Sequence, residues 1–432
     1  MKKLLVLLVA LVTLAWGCDV ALTTSPPAAH PLWVMRQEAL HLSGLLSVSL
    51  MSLAMFLATR PAWLEGPLCG MDQVYRAHKW AGILAVAFAA MHWLVELSGD
   101  LLKTAIGRAG RLPKVQYEGL LEVLRDLAKD MGEWAIYGVL LMLAITLWQR
   151  FPYRTWRLVH RVMPVLYLML ALHAALLAPP DYWLQPVGAL LAALLAAGVY
   201  GAVRSLAGVI GRQRTVRGEI IEVERPTIDV LRLRCRLDTR WRGHRAGQFA
   251  FVTFDEREGA HPFTIASADR GDRVVSFAIK ALGDHTARLA DELQPGQSLR
   301  LEGPYGRFEL SRCDRRARQI WIAGGIGITP FLAWLESLQG APESAPAAEL
   351  HYCTRDDRTD AFVTRLHELC ARLPSVHLQV HDSRRGDGLT TWNPGDARGA
   401  EVWFCGPDGL ARTIRKMLPH RLRFHQEAFA IR

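Results

Sequence analysis

The first half of the chain carries apolar runs that are too long for the strands and helices of an ordinary soluble core. Each of the strongest runs has about 20 residues, which is enough to cross the hydrocarbon layer of a membrane as a helix. With one weaker run at 4–17, the sequence predicts an α-helical membrane bundle of about six transmembrane helices. The strong runs lie at roughly 40–58, 79–97, 133–149, 160–178 and 185–207.

The second half of the chain has the composition of a soluble protein. Hydrophobic residues make up 51% of the chain, but most of the long Leu, Ala and Val runs lie in residues 1–210. We therefore place the main boundary within the segment 205–218. Residues 1–210 are predicted to form the membrane domain and residues 211–432 to fold outside the bilayer.

Two segments of the membrane half allow more than one interpretation. The run 4–17 ("LLVLLVALVTLAWG") fits either a further span or the core of a cleaved signal peptide. The segment 117–134 ("YEGLLEVLRDLAKDMGEW") mixes both charge signs, and we expect a short amphipathic helix on the membrane surface.

The net charge of +10 has the distribution of a membrane protein. Basic residues lie in short loops beside the apolar runs, as the positive-inside rule requires, and no basic stripe with interleaved aromatic residues indicates nucleic-acid binding. We predict a cytoplasmic location for the basic loops 59–78 and 150–157 and for the basic stretch after the last run. The loop 178–185 contains no Lys or Arg, which suits the outer face. The seven cysteines show neither zinc nor iron–sulfur spacing.

Four histidines lie in two of the predicted spans, where ionisable side chains are rare and usually functional. His78 and His92 are 14 residues apart, which corresponds to about 21 Å along a helix and to nearly the same helix face. His160 and His173 are 13 residues apart, or about 19.5 Å by the same rise. Two such helices side by side would offer one histidine pair near each membrane surface. Each pair could hold the iron of a b-type haem through neutral imidazole.

The second of these helices does not fit the ideal geometry. Thirteen residues make about 3.6 turns, so His160 and His173 would point about 140° apart on a straight helix. Pro164 lies between them and can change the local winding. His41 has no partner at matched depth and is predicted to be interfacial.

The 14- and 13-residue spacings resemble those of the ferric reductase and NADPH oxidase family. The resemblance implies two haems stacked across the bilayer, one held by His78 with His160 and the other by His92 with His173. It covers almost the whole chain and is weakest in residues 1–40 and 98–132.

Residues 211–312 begin with alternating apolar and polar positions and frequent turns, which predict an antiparallel β-barrel. The segment "HPFTIAS" (261–267) resembles the flavin-binding signature of the family. The resemblance implies that Thr264 and its neighbours Pro262 and Phe263 meet the isoalloxazine of FAD, while His261 lies toward the phosphates. In "FAIKALGDHTARL" (277–289), a tight turn at Gly283, the hydroxyl of Thr286 and the charge of Lys280 suit a pyrophosphate.

Residues 313–432 alternate strands and helices, which predicts a parallel sheet covered by helices. "GGIGITPF" (324–331) reads as a glycine loop between a strand and a helix, where backbone amides and the helix start can meet a pyrophosphate. This segment resembles the nicotinamide-dinucleotide loop of ferredoxin reductases. The residues assigned to that loop are Gly324, Gly325, Gly327, Thr329 and Pro330.

Several arginines follow the next strands of this predicted sheet. Arg355, with Ser383, Arg384 and Arg385, could bind a 2′-phosphate and so favour NADPH over NADH, or could be solvated surface residues. The family resemblance implies that Cys405 in "VWFCGP" lies near the nicotinamide and that Phe429 packs against the flavin. We predict these two as catalytic contacts.

The resemblance implies an electron pathway from cytoplasmic NAD(P)H through FAD and two b-type haems to an outer acceptor. Ferric iron as the acceptor would make the protein a ferric reductase, and O₂ would make it a superoxide-producing NADPH oxidase. A haem-free, membrane-anchored flavin reductase is the alternative from a different class. The composition favours a bacterial inner membrane with the soluble module in the cytoplasm.

Overall fold

The structure is a computed structural model that describes most of the chain. The chain divides into two compact units, and each is described by itself: Met1–Leu68 with Gln73–Ile210, and Cys69–Asp72 with Gly211–Arg432. The described residues are 2–23, 29–112, 116–148, 151–256, 258–386, 389, 399–418 and 422–427.

The first unit is a helical bundle. Within the described residues, six helical segments are long and apolar enough to cross a membrane, which confirms the predicted membrane architecture. The helix over run 4–17 places Leu5 and Val12 in the core of the bundle. The helices are α1 Lys2–Leu22, α2 Pro31–Ala58, α3 Glu65–Leu68, α4 Met71–Ile106, α5 Leu120–Leu147, α6 Tyr153–His160, α7 Met163–Leu177 and α8 Pro186–Leu206.

The fifth span is broken immediately after His160. Helix α6 ends at that residue, Arg161 and Val162 form a turn, and α7 begins at Met163 with Pro164 in its first turn. Proline is favoured there because its missing N–H costs nothing in the first turn of a helix. The break removes the straight-helix geometry that would point His160 and His173 about 140° apart.

The prediction of a short surface helix over 117–134 is wrong. Helix α5 is continuous from Leu120 to Leu147, and it buries Ala128, Ala135 and Val139 along its length. The charged residues that suggested a separate helix occupy its exposed side, for example in the i,i+3 pair of Asp126 and Lys129.

The second unit begins with a six-stranded antiparallel sheet in the order β4-β3-β6-β1-β2-β5. An antiparallel bridge pairs Ile265, the residue after edge strand β4, with Phe277 in the other edge strand, β5, so the sheet closes around an apolar core as the predicted barrel. Its elements are β1 Thr215–Thr227, β2 Val230–Leu237, β3 Phe249–Thr253, β4 His261–Thr264, β5 Val274–Lys280, α9 Asp284–Glu292 and β6 Ser298–Tyr305.

A five-stranded parallel sheet follows, in the order β11-β10-β7-β8-β9. The chain runs outward from β7 through β8 to β9 and then returns to β10 on the other side of β7. The strand order therefore reverses between β7 and β10, where doubly wound folds bind their ligands. The elements are β7 Gln319–Gly324, α10 Thr329–Leu338, β8 Ala348–Thr354, α11 Val363–Cys370, β9 Val376–Asp382, β10 Glu401–Cys405, α12 Asp408–Met417 and β11 Arg423–Glu427.

Candidate cofactor sites

The four predicted histidines form two pairs inside the helical bundle, and the ring planes within each pair are nearly perpendicular. The ring centres of His78 and His160 are 6.3 Å apart, with an interplanar angle of 79°. The ring centres of His92 and His173 are also 6.3 Å apart, at 85°. The structure therefore brings together the two pairs that the sequence predicted.

This spacing fits an iron ion between the two imidazoles of each pair. A metal–nitrogen bond of about 2 Å, plus about 1.1 Å from that nitrogen to its ring centre, gives about 6.2 Å between ring centres when doubled, which is close to the 6.3 Å found in both pairs. The pair geometry thus suits a bis-histidine haem.

Backbone carbonyl groups fix the tautomer of three of these histidines. Nδ1 of His78 lies 2.8 Å from the carbonyl oxygen of Ala54, and Nδ1 of His173 lies 2.8 Å from that of Ala128. Nδ1 of His92 is 2.9 Å from the carbonyl oxygen of Leu40. A carbonyl can only accept, so Nδ1 carries the proton and Nε2 keeps the lone pair that a metal needs.

His160 is supported differently. Its ring stacks on Trp156 at 4.8 Å with an interplanar angle of 19°. In the described part of the chain its buried Nδ1 has no hydrogen-bond partner. Aromatic packing therefore orients this imidazole where the other three are held by hydrogen bonds.

Two glycines that the sequence analysis did not assign make room for the imidazoles of one pair. A Cβ on Gly44 would lie 3.1 Å from the ring of His92, and a Cβ on Gly132 would lie 2.3 Å from Nδ1 of His173. A glycine within a predicted span was the available signal, because small residues allow close approach in membrane helices.

The predicted flavin segment forms β4, an edge strand of the barrel sheet. Thr264 is buried, and β4 pairs with β3 along one side only. An edge strand presents backbone donors and acceptors that the sheet does not use, so His261, Pro262, Phe263 and Thr264 fit a planar, hydrogen-bonding ring system. The ring of His261 stacks on His285 at 4.1 Å.

In the second predicted flavin segment, the side chains of Lys280 and Thr286 already contact neighbouring residues of the chain. Nζ of Lys280 pairs with a carboxylate oxygen of Asp229 at 3.2 Å. The hydroxyl of Thr286 accepts from the backbone N–H groups of Leu282 and Gly283 at 3.0 and 3.1 Å. Gly283 has extended backbone with φ −163°, so the predicted tight turn does not require glycine there. Gly283 and Thr286 shape the start of α9. The contact of these two residues and Lys280 with a pyrophosphate stays a prediction.

The predicted nucleotide loop lies at the carboxyl end of β7, at the reversal of the strand order. Gly325 has φ +54°, and no atom lies within 4 Å of where its Cβ would be, so its backbone is open to a ligand. A Cβ on Gly327 would lie 2.3 Å from the carbonyl oxygen of Cys405, and one on Gly324 would lie 2.9 Å from Pro407. Thr329, whose hydroxyl donates to the Ile326 carbonyl, starts α10 together with Pro330.

The predicted arginines lie at the carboxyl ends of the next two strands. Arg355 follows β8, and Arg384 follows β9. The backbone N–H of Arg384 donates to the carbonyl oxygen of Arg355 at 3.3 Å. The guanidinium of Arg384 contacts Asp356 at 2.6 Å, and that of Arg385 contacts Asp357 at 2.9 Å. The cluster is therefore close to neutral in charge as it stands.

Cys405 is fully buried at the end of β10, beside Glu427 of β11. Burial, followed by the charge of Glu427, raises the pKa of the Cys405 thiol well above its ordinary value, so the group stays protonated. It can donate a weak hydrogen bond or pack, but it is not a thiolate nucleophile.

The predicted flavin contact, Phe429, lies outside the described residues. Glu427 was not assigned from the sequence, because only the parallel pairing reveals its position.

Two family models match the chain on either side of the predicted domain boundary. Residues 43–171 match the ferric reductase-like transmembrane component, and residues 216–309 match an FAD-binding domain. The chain belongs to the ferric reductase-like transmembrane family. It is an integral membrane oxidoreductase with FAD- and NAD(P)-binding domains.

Curated relatives of this ferric reductase-like protein are similar to it over part of its length only. It is 30% identical over 240 residues to the ferredoxin–NAD(P)⁺ reductase component of the naphthalene 1,2-dioxygenase/salicylate 5-hydroxylase systems of Ralstonia sp., covering 51% of this chain and 71% of the relative. It is 34% identical over 148 residues to the haem-dependent oxidative N-demethylase beta subunit of Ectopseudomonas mendocina, covering 33% and 45%. A flavohemoglobin structure from Malassezia yamatoensis shares 18% identity at a TM-score of 0.49, covering 92% of this chain and 98% of that one.

Proposed function

We propose that this protein passes electrons from cytoplasmic NADPH through FAD and two b-type haems to ferric iron at the outer face. The observation that carries the proposal is the pair of 6.3 Å separations between facing imidazoles inside one membrane bundle. When bound, each haem would supply one-electron chemistry, which a hydride donor alone does not offer.

The residues of the bundle have a definite task in this proposal. His78 with His160, and His92 with His173, would hold the two iron ions at different depths of the membrane. The carbonyl oxygens of Ala54, Leu40 and Ala128 keep three of these imidazoles in the tautomer that can ligate. A buried, neutral imidazole held in this way loses little entropy on binding a metal.

NADPH is proposed as the electron donor because three arginines gather at the carboxyl ends of β8 and β9. A 2′-phosphate would compete with Asp356 for Arg384, whose side chain is 73% exposed and therefore accessible. The test is the ratio of kcat/KM for NADPH and NADH in the wild-type protein and in Arg384→Ala. We expect the preference for NADPH to fall about tenfold in the variant. An unchanged ratio would refute this assignment.

The orientation is proposed from the basic loops 59–78 and 150–157, with the soluble module on the cytoplasmic side of a bacterial inner membrane. Protease added to right-side-out membrane vesicles should leave the C-terminal half intact and should cleave it in inverted vesicles. Cleavage only in right-side-out vesicles would reverse the assignment.

The acceptor is tested by comparing ferric-chelate reduction with superoxide production under NADPH. We expect anaerobic ferric reduction that superoxide dismutase does not inhibit. Ferric reduction that requires oxygen and is abolished by the dismutase would favour the oxidase. In a haem-free flavin reductase, His92→Ala and His173→Ala would leave electron delivery to outer acceptors unchanged.

A further inference from the structure

A further group of possible metal ligands lies in the barrel domain, outside the helical bundle. Glu258 lies in the connection between β3 and β4, His261 is the first residue of β4, and His285 lies in the first turn of α9. These three residues are called the barrel cluster below.

The possible ligand atoms of the barrel cluster converge on one place. One nitrogen of each imidazole and one carboxylate oxygen of Glu258 all lie within 4.8 Å of one another. The rings of His261 and His285 stack at 4.1 Å, and Nδ1 of His285 lies 4.0 Å from Oε2 of Glu258. Ligand atoms that share one zinc ion lie about 3.3 Å apart, because each is about 2 Å from the metal. Side-chain rotations that move these atoms inward by about 1 Å would therefore complete a three-ligand site.

Neighbouring groups support two members of the cluster. Oε1 of Glu258 accepts from Nη2 of Arg288 at 3.0 Å, and Oε2 is the oxygen on the side of His285. The hydroxyl of Thr286 accepts from the backbone N–H of Gly283 at 3.1 Å and so holds the first turn of α9, which carries His285. Partners that orient a ligand in this way raise its affinity for a metal.

The ligand types identify the class of ion. Two imidazoles with one carboxylate are a usual ligand set of Zn²⁺ when the metal keeps one position open, whereas Mg²⁺ and Ca²⁺ prefer oxygen ligands alone. The side chains of Glu258 and His285 are 20% and 15% exposed, so an ion can reach them from solvent. The barrel cluster therefore suits a divalent transition-metal ion that can take one further ligand.

The barrel cluster lies where the phosphates of FAD are predicted to bind. His261 is expected to lie toward these phosphates, and His285 belongs to the segment 277–289 that is expected at the pyrophosphate. Nζ of Lys280, the cation predicted for that pyrophosphate, pairs with Asp229 at 3.2 Å. An ion in the cluster would add positive charge there, and its open position suits an anionic phosphate oxygen.

We propose that the barrel cluster binds a divalent transition-metal ion, with Zn²⁺ as the best match, whose open position takes an oxygen of the FAD pyrophosphate. This inference rests on the proposed function, which requires FAD, and on the predicted place of His261. The ion and FAD then bind cooperatively, and each raises the affinity for the other by the same factor.

The first test is equilibrium binding of Zn²⁺ to the full-length, haem-loaded protein in detergent. We expect one tight site in the wild type and its loss in Glu258→Gln and in His285→Ala. The matched controls are Glu256→Gln, which changes an exposed carboxylate of the same loop, and His377→Ala, and both should bind Zn²⁺ like the wild type. Equal binding by the wild type and all four variants would overturn the proposal.

X-ray absorption at the zinc edge identifies the ligands of the tight site directly. We expect a shell of nitrogen and oxygen atoms only. A shell that contains sulfur would assign the bound ion to cysteine residues and would overturn the barrel cluster as its site.

The second test separates the ion from FAD through His261→Arg. Arginine binds phosphate well, but it stays protonated and cannot ligate a metal. The variant should therefore keep its affinity for FAD and lose the Zn²⁺ site. Retained tight binding of Zn²⁺ by His261→Arg would refute the site.

The cooperativity is measured as the Kd for FAD of flavin-depleted protein. In the wild type we expect this Kd to rise about tenfold when a chelator removes Zn²⁺, as the loss of one charged contact implies, and Mg²⁺ should not restore it. In His261→Arg the Kd should be the same with and without Zn²⁺. A wild-type Kd that is independent of Zn²⁺ would refute the contact with the pyrophosphate. Zn²⁺-dependent binding of FAD without NADPH-dependent haem reduction would instead retain the site and refute the proposed electron pathway.

Discussion

The two histidine pairs of the bundle have the same spacing but different support. Both place ring centres 6.3 Å apart with nearly perpendicular planes. Both imidazoles of the pair His92/His173 donate to backbone carbonyls, whereas His160 of the pair His78/His160 stacks on Trp156. The two pairs therefore share the distance between their rings. They differ in the groups that orient each imidazole, which are backbone carbonyls for one pair and include an aromatic ring for the other.

The difference has a local cause. His160 is the last residue of α6, and the chain turns at Arg161 and Val162 before α7 begins. His173 lies in the interior of α7, where packing against α5 brings the Ala128 carbonyl within 2.8 Å. Residues that support a metal ligand affect metal affinity about 10- to 100-fold, so the two pairs should respond differently when the groups that support their histidines are changed.

Removal of a ligand should have the largest effect and should be equal for the two pairs. In His173→Ala and in His160→Ala we expect one of two haems to be lost, because a remaining single imidazole cannot hold the iron from both sides. The haem-to-flavin ratio of the purified variants measures this. His377→Ala, an exposed residue of the soluble unit, is the control. A full haem complement in both ligand variants would show that these histidines only pack.

A methyl group at Gly132 should damage one pair only. A Cβ there would lie 2.3 Å from His173 Nδ1, so we expect Gly132→Ala to lose or distort the haem of the pair His92/His173. Gly138→Ala on the same helix is the matched control, since its Cβ would meet the flexible end of Leu166 at 3.0 Å. Equal haem spectra for the two variants would contradict the close approach.

Loss of Trp156, which stacks on His160, should affect the pair His78/His160. We expect this effect to be weaker than that of Gly132→Ala on the pair His92/His173. In Trp156→Leu we expect both haems to remain, with a changed midpoint potential for the haem of His78/His160 alone, because the ring that orients His160 is removed. A potentiometric titration followed by absorbance measures both haems. An equal shift of both potentials would argue against separate support.

The smallest effect is expected at Ser43. Its hydroxyl lies 3.4 Å from His92 Nδ1, but it donates to the Ala39 carbonyl at 2.7 Å, and the Leu40 carbonyl already accepts the imidazole proton. Ser43→Ala should therefore leave haem content and potentials unchanged. A clear loss of haem in this variant would show that Ser43, rather than the backbone, orients His92.

The sequence predicted the two histidine pairs because histidines in apolar spans are rare and their spacings are regular. It could not predict their support, since carbonyl oxygens carry no side-chain signal and the stacking of Trp156 depends on where α6 ends. Pro164 indicated a disturbed helix, but the position of the break depends on packing. The segment 117–134 was misassigned because its charges lie on one side of a long helix.

In the soluble half, too, the sequence predicted the main elements but not the contacts that form only in the folded chain. Strand alternation and the glycine loop were sufficient to predict the barrel, the parallel sheet and the place of Gly325. The detailed roles of Lys280 and Thr286 were not predictable, because both side chains are engaged by neighbours, Asp229 and the backbone of Leu282, that only the folded chain brings together. The position of Glu427 beside Cys405 likewise depends on strand register.

The most direct test of the account is the absorption spectrum of the purified full-length protein after reduction with dithionite, with haem and flavin quantified in the same sample. We predict two low-spin haems for each FAD, as two bis-histidine sites require. Protein with bound FAD but no haem, prepared with an adequate porphyrin supply, would contradict the central claim.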